Sequence, residues 1–384
     1  MQFLKFKSLL PAAALAVLCS CSTFDEEKIT LDGERISVLD GETALQPDYA
    51  PGQVKIVLPA PYTNTAWSQN GGNAAHMMGH LSSDSKLKEL WESGFGEGSS
   101  KRDFLIAAPV SAHKAVFTID ADGIVNAFRL DDGRKIWKRR LKPLIKDDIS
   151  TSLKGAGLAV FDKKVYATTG FGAVFALDMV TGKKLWRYDT ELPIRIAPTA
   201  ERGVVFIQTI DNKLIALNGV DGSVLWDYKS PSEETTLVGG ASPAYSPQQD
   251  TIVAAFSNGE LRAFKASTGS PLWSDILVSR KRTNSPANIN AIKANPVIDG
   301  STVYAVGNNN ILVAIDLRSG ARIWEREIGS INQPWVAGKF MFVLSNNYDL
   351  FAIEKATGKI VWNTQIPLGK TKEDKVGVTA SGQV

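Results

Sequence analysis

The sequence predicts an all-β protein, a β-propeller of four-stranded blades, on three observations. A module recurs in which an Ala is followed by a Gly six places later and a Trp four places after that: Ala127, Gly133, Trp137; Ala176, Gly182, Trp186; Ala216, Gly222, Trp226; Ala263, Gly269, Trp273; Ala314, Gly320, Trp324; Ala352, Gly358, Trp362. The interval between successive Trp residues varies around about 45 residues, the period of propeller blades and not of leucine-rich or short helical repeats. Between the modules lie short runs rich in β-branched and aromatic residues, bounded by turn signals.

Each part of the module has a mechanical reason. Runs such as Val165 to Thr169, Val204 to Thr209 and Thr302 to Val306 suit half-buried pleated strands. The strand that carries the Ala alternates, with Leu214, Ala216 and Asn218 set against Ile215 and Leu217, and the small Ala is expected to let neighbouring sheets approach closely. The Gly follows Asp, Thr or Ser in a turn, where the chain needs the one residue that tolerates positive φ. Four residues on, the Trp falls in the outer strand. A large ring with one N–H buries much surface and still finds an acceptor, so the six Trp residues are expected to cement adjacent blades.

Six complete blades account for the modules, and fragments remain at both ends. Leu87 to Trp91 reads as an outer strand with no Ala and Gly in front of it, and Val54 to Leu58 as an extended piece. After Trp362 only 22 residues remain, too few to finish a blade, so the sequence predicts partial blades, an incomplete ring and an apparently truncated C-terminus.

The start of the chain is of another kind. Lys5 and Lys7 precede an apolar run, Leu9 to Leu18, too short to span a bilayer comfortably, which reads as an export signal. Leu18-Cys19-Ser20-Cys21 follows and is similar to the lipobox of bacterial lipoproteins, in which the Cys becomes the acylated first residue. This divides the chain into a signal peptide at 1–20, a lipidated N-terminus and tether at 21–53, and a propeller domain at 54–384. Ser22 stands where an aspartate resembles an inner-membrane retention signal, which points to the outer membrane. With no Cys after Cys21 the mature chain has neither disulfide nor thiol site.

Charge excludes little by itself. Lys and Arg number 43 against 40 Asp and Glu, a balance that implies neither nucleic acid nor an acidic ligand, and export removes nucleic acid as a normal partner. The basic runs Lys138 to Lys146 and Arg280 to Arg282 read most simply as solvated strand ends. His76 and His80 are spaced for one helical face but lack the Glu of the zinc-protease pattern. His113 stands alone, Gly94 to Gly98 lacks the Lys of a phosphate loop, and no Ser sits in a nucleophile elbow. No catalytic group, metal site or cofactor is predicted.

The repeat resembles the pyrroloquinoline-quinone-type propeller repeat. Further stretches, Trp67 to Asn73, Leu90 to Gly98, Gly239 to Ala244, Asn295 to Trp324 and Gln333 to Gly338, are similar to the branch of lipoproteins that serves the outer-membrane β-barrel assembly (BAM) machinery. That resemblance implies an eight-bladed, non-enzymatic propeller on the periplasmic face of the outer membrane. It implies docking on BamA beside other BAM subunits, assistance to the insertion of outer-membrane proteins, and direct contact with nascent ones as an open question. It also points to a docking loop at Leu192-Pro193-Ile194-Arg195-Ile196, with Ile194, Arg195 and Ile196 as the partner-binding residues, and to a second loop at Asn290 to Lys293. Arg195 has two readings, an interface anchor or a solvated charge over apolar neighbours. Quinoprotein dehydrogenases carry the same repeat and form the alternative. They resemble one another in a vicinal Cys pair, which this chain lacks.

Overall fold

Each repeat of the module closes its own antiparallel sheet. The computed structural model describes residues 45–84, 86, 88–100, 104–144, 155–233, 239–278 and 290–367. Within them, six four-stranded sheets follow one another as blades 1 to 6, at residues 110–140, 155–189, 199–229, 244–276, 297–326 and 335–365. Every sheet is a meander with its strands in chain order, so short turns suffice and no crossover is needed. The leader, Cys21 and most of the tether lie outside the described residues.

A cross-strand row explains the Ala. In blades 1, 2, 3, 5 and 6 it lies between an aromatic residue and the Trp, as in Phe117, Ala127, Trp137 and Phe206, Ala216, Trp226. With only a methyl group between them, the two rings meet over it at centroid separations of 5.8 to 6.2 Å, in the range that favours tilted aromatic pairs. The small residue is therefore used within the sheet, where the sequence suggested a role between sheets. Immediately after each Ala the register shifts by a bulge, in all six blades. A bulge bends the strand and raises its twist, and here it falls at the same place as the Trp.

The Trp and Gly of successive blades interlock. The Trp137 indole Nε1 donates to the Met179 carbonyl at 2.9 Å, and Trp186, Trp226, Trp273 and Trp324 donate likewise to Gly219, Ala266, Leu317 and Lys355 in the following blade. Each acceptor stands three residues before the next module's Gly. That Gly has positive φ, and a β-carbon on it would lie 2.5 to 2.6 Å from the incoming indole. One residue thus meets two demands, a left-handed turn and room for a ring. The apolar cores run between sheets, as where Leu158 and Val160 of blade 2 join Phe117 and Ile119 of blade 1.

The pieces beside the six blades are not strands of a further sheet. Residues 88–98 have no regular structure, contrary to the outer strand expected at Leu87 to Trp91, because no neighbouring strand lies there to pair with. Trp91 nevertheless takes the repeat position against blade 1, with Nε1 donating to the Leu130 carbonyl at 2.8 Å and its ring under Gly133. On the far side, Tyr49, Val54, Ile56 and Leu58 cover Phe342 and Trp362 of blade 6. Val54 to Leu58 is extended, as expected, but unpaired. The N-terminal segment therefore packs against both the last blade and the first.

Candidate functional site: the axial cavity and its rim

The inner strands of all six blades meet one segment. Trp67 exchanges two backbone hydrogen bonds with Ser111 of blade 1, both 2.8 Å, and the Ser68 carbonyl accepts from Val160 of blade 2 at 2.7 Å. The Gln69 side chain, 2% exposed, accepts from Ala200 N of blade 3 at 2.9 Å and donates back to its carbonyl at 3.3 Å. The Ala74 and Ala75 carbonyls accept from Tyr245 of blade 4 and Ile298 of blade 5, at 2.7 and 2.9 Å. The Trp335 indole of blade 6 donates to the Gly79 carbonyl at 3.0 Å, and Trp335 stacks on Trp67 at 6.3 Å with 14° between planes. Residues 67–79 are therefore an axial strap that occupies the middle of the propeller.

Tight turns hold the strap in this path. Gly71 and Gly72 have φ of 74° and 93°, and a β-carbon on Gly72 would lie 2.3 Å from Met78 Sδ. His76 also has positive φ, 59°, and is buried, with Nδ1 donating to the Pro296 carbonyl at 2.7 Å and Nε2 left without a partner. Burial pushes its pKa down to about 4, so the ring is neutral at physiological pH. His80 Nδ1 lies 2.6 Å from the Pro59 carbonyl. The helix that the two His residues suggested is absent here. Among the described residues, no cluster of three metal-ligating side chains occurs.

On one side the strap is the floor of a cavity of about 740 Å³, with the segments that lead into the inner strands around it. The floor is an amide network: Asn70 Nδ2 donates to Ser242 Oγ at 3.1 Å, Asn295 Nδ2 to Gln333 Oε1 at 3.1 Å, and Gln333 Nε2 to the His76 carbonyl at 2.8 Å. Arg195 and Lys293 line the wall, both half-buried.

The structure places the three residues of the expected docking loop differently. Ile194 is 0% exposed and Ile196 7%, both in the core between blades 2 and 3. Ile194 N donates to the Thr169 carbonyl, which pulls the side chain inward. Of the three, Ile194 has no exposed surface, whereas Arg195 and the edge of Ile196 line the cavity. The second loop behaves alike, with Ala291 and Ile292 buried and Lys293 left at the cavity. Sequence reasoning missed the strap, although Gly71-Gly72 after Trp67 marked a place where the backbone must turn tightly against something.

The fold and its Trp-Gly interlock define a propeller of the pyrroloquinoline-quinone-repeat class. The family model for the outer membrane protein assembly factor BamB matches residues 121–364, and the chain belongs to that family. It is 28% identical over 247 residues to the outer membrane protein assembly factor BamB of Yersinia pestis, covering 64% of this chain and 62% of that one. To the factor of the same name from Shewanella oneidensis it is 26% identical over 337 residues, covering 86% and 73%. The chain thus spans about three-fifths of the Yersinia relative's length. The crystal structure of BamB from Moraxella catarrhalis shares the fold, with a TM-score of 0.56 at 18% identity over 70% of this chain and 76% of that one.

Proposed function

We propose that the protein is a non-enzymatic scaffold lipoprotein of the BAM complex, anchored through Cys21 on the periplasmic face of the outer membrane, which docks on BamA and assists the folding and insertion of outer-membrane proteins. The observation that carries this reading is membership of the assembly-factor family over residues 121–364. The rim adds chemistry to it. Arg195 and Lys293 are accessible cations on inter-blade segments, and loops on a rigid sheet scaffold are where binding surfaces are commonly built. Two cations on one rim favour an acidic surface on the partner.

The lone acyl-bearing residue explains the tether. A single acyl chain binds membranes only marginally, whereas the several chains of a lipoprotein Cys anchor stably, so Cys21 and not the propeller would hold the protein at the membrane. The dehydrogenase alternative lacks its vicinal Cys pair, since both Cys residues precede Ser22.

The test is co-purification from detergent-solubilised outer membranes. BamA is expected to follow the tagged protein, and the double variant Arg195→Glu, Lys293→Glu to recover much less of it. Recovery of BamA unchanged by that variant rejects the rim as the docking site, and absence of BamA from the wild-type sample rejects the assembly reading. Intact mass of the mature protein reads the acyl chains at Cys21.

A further inference from the structure

The axial cavity shares Arg195 and Lys293 with the rim and adds to them an apolar lining that docking at the rim does not use. It is blind, because the strap hydrogen-bonds to the inner strands across its floor. Its volume, about 740 Å³, lies in the range of sites that enclose most of a small ligand's surface. Its lining is also divided. Leu105, Ile106 and Pro109, which lead into blade 1, and Leu158 of blade 2 are apolar, whereas Arg195 and Lys293 stand on the segments that lead into blades 3 and 5. Among the described lining residues there is no Asp or Glu.

Among the described residues the two cations have no bonded partner. No ion pair or hydrogen bond joins either side chain to another described residue, in contrast to Arg322, held between Asp275 and Glu325. Both line the cavity and the small recess beside it, and the Lys293 stem passes the Arg195 backbone at Gly239, where a β-carbon would lie 3.6 Å from Lys293 Cε and 4.0 Å from the Arg195 carbonyl. Beside Arg195 lies a recess of about 50 Å³ lined in part by Gln208 and Ser257, whose buried Oε1 and Oγ have no partner among the described residues. A water there has room and polar partners. The floor amides, by contrast, are engaged with one another. Among the described lining residues, what remains unsatisfied is therefore positive charge in a cavity that also has an apolar part.

We propose that this cavity is a binding site for an amphiphilic carboxylate, whose apolar chain lies against Leu105, Ile106 and Leu158 while its carboxylate sits between Arg195 and Lys293. A hydrogen bond from a cation to a carboxylate is stronger than a neutral one, and the apolar wall supplies the area that a small anion alone would lack. A fatty acid and a peptide C-terminus with an apolar last residue share this chemistry. The proposal does not depend on the assembly reading, because its test needs no BAM partner.

The experiment is calorimetric titration of the purified full-length protein with four probes: decanoate, octyl glucoside, the peptide acetyl-Ala-Leu-Phe as free acid, and the same peptide amidated. The acids are expected to bind about tenfold or more tightly than the uncharged probes, the ratio that one charge-assisted hydrogen bond supports. Lys293→Gln, at an accessible side chain, should weaken the acids by a similar factor and leave the uncharged probes unchanged. Ile331→Glu is a second variant that does not test folding, since Ile331 lines the cavity and is 41% exposed; its carboxylate should repel the acids. Binding by decanoate alone assigns the site to lipid-derived acids, and binding by the free peptide alone to a chain terminus. Equal affinity for charged and uncharged probes, indifference to both substitutions, or no binding of either acid at millimolar concentration overturns the proposal.

Discussion

The Trp226 indole lies where a side chain on Gly269 would be: a β-carbon there would sit 2.6 Å from Trp226 Cδ2, at a backbone φ of 73°. Ala at this position therefore meets two penalties, left-handed backbone and an occupied site. Gly203→Ala meets only the first, since φ is 78° and nothing lies within 4 Å. Left-handed backbone costs about 1–2 kcal/mol and forced overpacking about 1–3 kcal/mol more. Gly269→Ala should thus lower stability by about 2–5 kcal/mol and Gly203→Ala by about 1–2 kcal/mol, read from denaturant midpoints. Equal losses in the two variants would show that the ring moves aside freely and does not hold the blades.

The module was legible in the sequence because its parts act locally. Ala176, Gly182 and Trp186 lie within one hairpin and its turn, so their spacing is set by sheet geometry alone. The strap was not, because what fixes Gln69 is Ala200, 131 residues away, and nothing near Gln69 announces that partner. The burial of Ile194 and Ile196 was hidden for a related reason. Beside an Arg they had the composition of an interface, but a bridge to Thr209 and a core of blade 2 and 3 residues claim them. Residues 88–91 show the converse, where a strand-like run finds a place for its Trp and, among the described residues, no strand to pair with.

The strap should hold its place without covalent continuity to the first blade. Ser82 to Asp84 is exposed and lies between the strap and Trp91, so a protease site inserted there can be cut in the folded protein. Every blade contributes a hydrogen bond to residues 67–79, and the cleaved N-terminal piece is expected to co-elute with the propeller in size-exclusion chromatography until denaturant unfolds both together. Release of the piece from a propeller that stays folded would mean that the strap is passive filling.

Stability should fall as pH drops from about 6.5 to about 4. His76 stays neutral in the folded chain down to about pH 4 because its burial disfavours the charged ring, while in the unfolded chain it binds a proton below its ordinary value of 6.5. Between those limits the unfolded state binds more protons, so acid favours unfolding, and below pH 4 this contribution levels off. The full effect is about 3 kcal/mol, from 1.36 kcal/mol per pKa unit. In His76→Asn the amide can donate to the Pro296 carbonyl and tolerates the φ of 59°, so the variant should lose most of the slope in that window. Denaturant midpoints at pH 7, 6, 5 and 4.5 measure it, and a slope equal to wild type would place the sensitivity elsewhere.

Ile194 and Arg195 are adjacent in sequence and should separate in effect. Ile194→Ala removes buried atoms from the core between blades 2 and 3, where the residue is 0% exposed, and should cost about 2–5 kcal/mol with a matching drop in melting temperature. Any loss of BamA recovery in that variant would follow from instability and should be regained at low temperature. Arg195→Ala leaves the core intact, because Arg195 is half-buried at the cavity wall and no described residue is bonded to its side chain. Its melting temperature should stay near that of wild type while BamA recovery falls at every temperature. A double substitution would merge the two causes, so the single variants, each measured by thermal melt and by co-purification, are what decide whether the rim docks a partner or whether this loop only holds two blades together.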